Sequence, residues 1–116
     1  MIKIGSKRVF LACGATDMRK SIDGLSTLVG YSFKLNLFDD VVFVFCNRGR
    51  DRLKILEWDG DGFWLHFKRL EKGHFPWPRR EDGRTMELRA EELEQLLDGT
   101  KLIRKISGQE ISGAVI

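Results

Sequence analysis

Arg48, Arg50, Arg52 and Lys54 recur at every second position, Lys68, Arg69 and Lys72 follow, and Arg79 and Arg80 lie beyond them. Cations at that density suit phosphate, which they hold without reading bases. The plainer alternative is a solvated charged surface. A second chemistry, metal-assisted cleavage of a phosphodiester, needs carboxylates converging on divalent ions. The candidates are Asp17, Asp39, Asp40, Asp51, Asp59 and Asp61. Asp59 and Asp61 alternate with Gly60 and Gly62, where Asp serves turn geometry by itself, and Asp39 and Asp40 open a strand. Turn roles outweigh ligation, so no catalytic residue, metal site or cofactor is assigned. His66 and His74 have no Cys or His at ligand spacing and read as hydrogen-bonded structural histidines. Gly60 and Gly62 form a hairpin turn rather than a strand-to-helix phosphate cradle.

Positioning the cations falls to a β-meander. Val41–Cys46 is apolar, rich in β-branched and aromatic residues and short for a helix, which favours a strand buried on both faces. Residues 53–58 and 63–70 flank an Asp-Gly turn, a strong hairpin signal because Gly accepts the positive φ that the turn requires. With Gly60 and Asp61 as the loop residues, Trp58 faces Phe63, Leu56 faces Leu65, Lys54 faces Phe67 and Arg52 faces Arg69. The loop 47–51 then lies at the far end. Arg48, Arg50, Arg52, Arg69 and Lys72 gather at that pole, and Glu57, Asp59 and Asp61 mark the other. Trp58, Trp64 and Phe67 read as core fillers rather than platforms for stacked bases. Trp77 is the exception, since residues 73–83 hold both prolines and read as a surface segment with a mobile tip over 79–84.

Upstream, Arg8–Ala12 is a strand candidate. Met18, Ile22, Leu25, Leu28 and Val29 form one stripe of a helix over 18–29, with Thr16 or Asp17 as N-cap and Gly30 as stop. Gly24 within it costs about 1 kcal/mol against Ala, which close packing on the sheet would explain. Residues 31–40 connect. Downstream, Thr85–Leu88 reads as a short edge strand, and 90–98 as a helix carrying Leu93, Leu96 and Leu97 on one side. Arg89 offers that helix no capping oxygen, so its start is weak. Residues 101–106 read as a returning strand and 107–116 as a tail. The expected fold is α+β: a small antiparallel β-meander sheet, one helix packed on a face, and a second short C-terminal helix at an edge or across the other face, all in one domain over 1–106.

The 116 residues are 42% hydrophobic and 32% charged, with a formal net charge of +3, the composition of a globular chain with a mild lean toward polyanions. Charge is segregated. Glu91, Glu92, Glu94 and Asp98 make the last helix acidic, a surface that repels phosphate and suits a basic protein partner. Cys13 and Cys46 read as buried thiols. No window has the apolar length of a signal peptide or membrane span, so no membrane partner is expected and the expected location is cytoplasmic.

The stretch VFCNRGRDRLKILEWDGDGFWLHFKRLEKGHFPWP, with TDMRKSIDGLSTLV upstream, resembles the TnpB accessory-protein family, encoded by the second open reading frame of insertion sequences of the IS-sixty-six class. That family is unrelated to the RNA-guided nuclease of the same name. The resemblance spans about 8–102 and implies a bacterial mobile-element protein that assists a separate, larger transposase, with no catalytic residues to carry over. Two positions depart from the family pattern: Leu37 stands where a Pro is usual, and Arg89 where a capping hydroxyl or acid is usual. The expected function is therefore non-catalytic help in transposition. The DNA-binding residues would be Arg48, Arg50, Arg52, Lys54, Lys68, Arg69, Lys72, Arg79 and Arg80, and the partner-binding residues Glu91, Glu92, Glu94 and Asp98. The partners would be DNA, as transposon ends or non-specific duplex, together with the cognate transposase and other element-encoded proteins. A pure protein adaptor and a metal-dependent nuclease are the competing readings.

Overall fold

The computed structural model describes residues 5–78 and 84–98 and the backbone of 111–112. The elements are β1 (Arg8–Ala12), α1 (Ile22–Thr27), β2 (Val41–Cys46), β3 (Arg52–Trp58), β4 (Phe63–Arg69), β5 (Trp77–Pro78), β6 (Thr85–Leu88), α2 (Ala90–Leu97) and β7 (Ile111–Ser112). Every residue of β2 is buried. A strand apolar on both faces belongs in the middle of a covered sheet, and β2 is the central strand in the order β4-β3-β2-β1-β6.

The strands β2, β3 and β4 form the expected antiparallel meander, and the hairpin has the expected register: Trp58 opposite Phe63, Leu56 opposite Leu65, Lys54 opposite Phe67 and Arg52 opposite Arg69. The sheet as a whole departs from an all-antiparallel meander. β1 runs parallel to β2, with Arg8 beside Val41 and Leu11 beside Val44, and β6 closes the far edge antiparallel to β1. A parallel neighbour needs a crossover, which α1 and the residues after it supply. β5 and β7 form a separate antiparallel pair. The result is a mixed five-stranded sheet in an α+β chain.

Alternation along the strands builds two cores. Val42, Val44 and Cys46 point to one face, where Leu93, Leu96 and Leu97 of α2 cover them together with Phe75 and Trp77. Phe43 and Phe45 point to the other, under Leu25 and Val29. Each large side chain so buried contributes roughly 1.5–3 kcal/mol of transfer free energy. The helices therefore lie on opposite faces.

Several local expectations are corrected. The first helix starts after Ser21, not near Asp17, and Gly30 does not stop it: it widens into a π-helical turn over Leu28–Ser32, with the Phe33 N–H donating to the Leu28 carbonyl at 3.2 Å. Lys34, at φ +56°, takes the left-handed conformation beyond the turn. A Cβ on Gly24 would meet the Lys20 side chain, so it is that residue and not the sheet that lies close. The weak start of α2 is repaired by Glu92, whose carboxylate accepts the Arg89 backbone N–H at 2.8 Å. The stretch around the prolines is no surface segment: Phe75 to Pro78 are buried, and Trp77 is 2% exposed. Its indole N–H donates to the carbonyls of Ala12 and Gly14, both at 3.1 Å. Arg84, placed in a mobile tip by sequence, accepts the Cys13 N–H on its carbonyl at 2.9 Å. The strand expected over 101–106 lies outside the described residues. Cys13 and Cys46 are buried and unbridged. No helix among the described residues is long and apolar enough to cross a membrane.

Candidate nucleic-acid interface

The basic pole begins with Asn47. Its side-chain oxygen accepts the N–H groups of Asp51 and Arg52, both at 3.0 Å, and its amide donates to the Asp51 carboxylate at 2.8 Å. One side chain thus folds the β2–β3 loop and throws Arg48 and Arg52 outward, both exposed. β4 ends at the same height, where Leu70 N–H meets the Asp51 carbonyl and Phe75 N–H the Arg50 carbonyl. Arg69 and Lys72 are exposed there as well. The parallel pairing of β1 with β2 adds a third segment, because both strands end at this pole. Thr16 N–H bonds the Cys46 carbonyl at 2.8 Å, which brings Arg19 and Lys20 to the cluster, and the start of β6 brings Arg84.

Among the described residues Arg48, Arg52 and Lys72 make no side-chain hydrogen bond or salt bridge. Arg69 pairs with Glu71 at 2.8 Å, and Arg19 with Asp17 at 2.8 Å. The Arg19 side chain and N–H hold the Asp17 carboxyl down at about 2. Asn47 and the nearby Arg52 lower Asp51. Asp17, Asp51 and Glu71 are each tied to a neighbour while Arg48, Arg52 and Lys72 make no such pair, so the local field is positive.

Three residues of the expected set have other contacts or partial burial in the structure, and two lie outside the described residues. Lys54 is occupied: its ammonium donates to the carbonyls of Met18 and Lys20, both at 2.7 Å, and so pins the β1–α1 loop. Lys68 points to the α2 face, where it donates to the Leu97 carbonyl. Arg50 is half-buried, with φ +60° and a guanidinium nitrogen shielded from solvent without a partner, so its first role is in the loop. Arg79 and Arg80 lie outside the described residues. Of the acidic set, Glu91, Glu94 and Asp98 are exposed, but Glu92 is 2% exposed and serves the helix start, so it presents no surface to a partner.

The remaining candidates resolve locally. His66 Nε2 lies 3.2 Å from Glu57 Oε1, and Lys7 Nζ lies 2.6 Å from Glu57 Oε2, which makes Glu57 a buried ion-pair centre rather than a surface marker of the opposite pole. His74 Nδ1 meets the Gly49 carbonyl at 2.9 Å. Asp59 accepts the Trp64 indole N–H at 2.6 Å within the hairpin. Phe67 and Trp64 are not core residues: they are 56% and 57% exposed, on the edge strand β4. Sequence reasoning missed Arg84 as a member of the pole, and the signal that would have placed it was the pairing of β6 with β1, which is not local.

A family model described as IS66 Orf2 like protein matches residues 7–106. The chain belongs to that family. A Sinorhizobium fredii relative named "Uncharacterized protein y4hO" is 40% identical over 92 residues, covering 79% of each chain. Another from the same organism, "Uncharacterized protein y4jC", is 36% identical over 101 residues, covering 84% of this chain and 86% of its own. No solved structure matches the chain. As an IS66 Orf2 like protein, the chain carries the whole basic pole within the matched span, from Arg19 to Arg84.

Proposed function

We propose that this IS66 Orf2 like protein is a non-catalytic accessory factor in transposition that holds DNA by its phosphates at the basic pole. The observation that carries the reading is the convergence of Arg48, Arg52 and Lys72, unpaired among the described residues, on one end of the sheet. Like charges held together on rigid loops cost free energy unless an anion offsets them, and a duplex presents phosphates at that density. Such contacts position without reading sequence. The exposed carboxylates Glu91 and Glu94 of α2 and Asp98 at its C-terminal cap repel phosphate and suit a basic surface of the cognate transposase or of another element-encoded protein.

A salt titration of duplex binding by fluorescence anisotropy tests the DNA reading. Arg48→Ala and Arg52→Ala are each expected to weaken binding alike on element-end and unrelated duplexes, and to flatten the salt slope by roughly one per lost contact. An unchanged slope in the folded double variant overturns it. Neutralising Glu91, Glu94 and Asp98 together is expected to weaken capture of the transposase and leave duplex affinity equal or higher.

A further inference from the structure

Phe67 is an aromatic ring left in solvent beside cations. It stands on the edge strand β4, opposite Lys54 and two positions from the facing pair Arg52 and Arg69. With Met18, Arg19, Asp17, Arg52 and Lys54 it lines a groove of about 630 Å³ at the basic pole. A ring left 56% exposed forgoes about half of the roughly 1.5–3 kcal/mol that full burial gives. One wall is tied down where the Lys54 ammonium donates to the carbonyls of Met18 and Lys20, and Arg19 pairs with Asp17 at the rim. The Asp17 carboxylate is matched by that arginine and the Lys54 ammonium is taken up by carbonyls, so Arg52 is the groove cation that makes no side-chain hydrogen bond or ion pair among the described residues.

We infer that this groove binds unpaired DNA, with Phe67 as the platform on which a splayed base stacks while Arg52 holds the adjoining phosphate. The inference rests on the phosphate-binding reading of the pole and narrows it to single strands. In an intact duplex the base faces are buried against one another, so an exposed ring gains nothing there; a base in a single strand has a free face. Aromatic platforms beside a cationic track are how proteins bind single strands without strong sequence preference. The register puts ring and cation on the same face, since Phe67 and Arg69 alternate with residues that point to α2.

The test compares a labelled oligothymidine with a duplex of equal length, by anisotropy, for the wild-type protein, Phe67→Leu and Phe67→Trp. Phe67→Leu keeps an apolar side chain and removes the ring. It is expected to weaken single-strand binding by about five-fold or more, the low end of what one stacked base is worth, and to leave duplex binding within about two-fold. Phe67→Trp is expected to retain single-strand affinity, with its added indole emission quenched by the oligonucleotide and not by the duplex. Equal single-strand affinity for wild type and Phe67→Leu, in a protein that still binds duplex with the Arg52-dependent salt slope, overturns the stacking site and spares the phosphate reading. Absence of binding to both forms of DNA overturns both.

Discussion

The Lys68 ammonium donates to the main-chain carbonyl of Leu97, so the edge strand β4 holds the last turn of α2. The final carbonyls of a helix have no partner inside it and carry the negative end of its dipole, which a cation complements. Lys68→Met keeps most of the stem and loses the charge. It is expected to cost about 1 kcal/mol in a denaturant melt while duplex affinity and its salt slope stay unchanged. A folded variant with weakened DNA binding would return Lys68 to the interface.

Arg50 sits at φ +60°, where a side chain costs roughly 1 kcal/mol against glycine. Both Arg50→Ala and Arg50→Gly remove the guanidinium, but only the second relieves the backbone. Arg50→Gly is expected to be the more stable of the two by about 1 kcal/mol in thermal or urea unfolding. Equal stabilities would mean that the loop relaxes out of the left-handed conformation.

Glu92 and its exposed neighbours should behave oppositely despite equal charge. Glu92→Ala removes the acceptor for the Arg89 N–H and is expected to cost about 1 kcal/mol, visible as early loss of helical circular dichroism on heating. Glu91→Gln and Glu94→Gln should stay within about 0.5 kcal/mol of wild type. Destabilisation by the exposed pair alone would contradict the assignment.

Burial pushes the Cys46 thiol up to about 12 from its ordinary 9.0. Between those values the unfolded chain gives up the proton and the folded one keeps it. The associated stability is thus present below about pH 9 and drains away as pH rises toward 12. At pH 8 iodoacetamide is expected to leave Cys46 unmodified in the native protein and to label it in guanidinium. Rapid native labelling at Cys46, read by mass spectrometry, would show the thiol to be accessible.

How far the fold was legible depends on how local each signal was. The hairpin register followed from Asp59 to Gly62 and a two-residue alternation, which need no information from elsewhere in the chain. The pairing of Arg8 with Val41 carried no such mark, since nothing in either strand names a parallel partner. Trp77 misled because prolines usually signal surface. Here Pro76 and Pro78 bring no N–H of their own to satisfy, which eases burial of the crossing chain. Phe67 and Trp64 misled the other way, their exposure being a property of an edge strand that composition does not reveal. At the candidate site Arg48, Arg52, Arg69 and Lys72 were legible from register, whereas the commitments of Lys54, Lys68 and Glu92 to backbone groups depend on neighbours distant in the fold or on a buried side chain.

The parallel pairing of β1 with β2 also has a kinetic side. The meander β2–β3–β4 closes through short loops, whereas β1 must await the crossover and β6 must await β1. Amides of β2 to β4 are therefore expected to gain exchange protection before those of β1 and β6 in pulse-labelled refolding. A chain caught at that midpoint already carries Arg48, Arg52 and Arg69 in place, while Arg19, Lys20 and Arg84 have yet to arrive. Its cationic end is assembled in two instalments, and a polyanion present during refolding would meet the first of them on a molecule whose sheet is still open along β2.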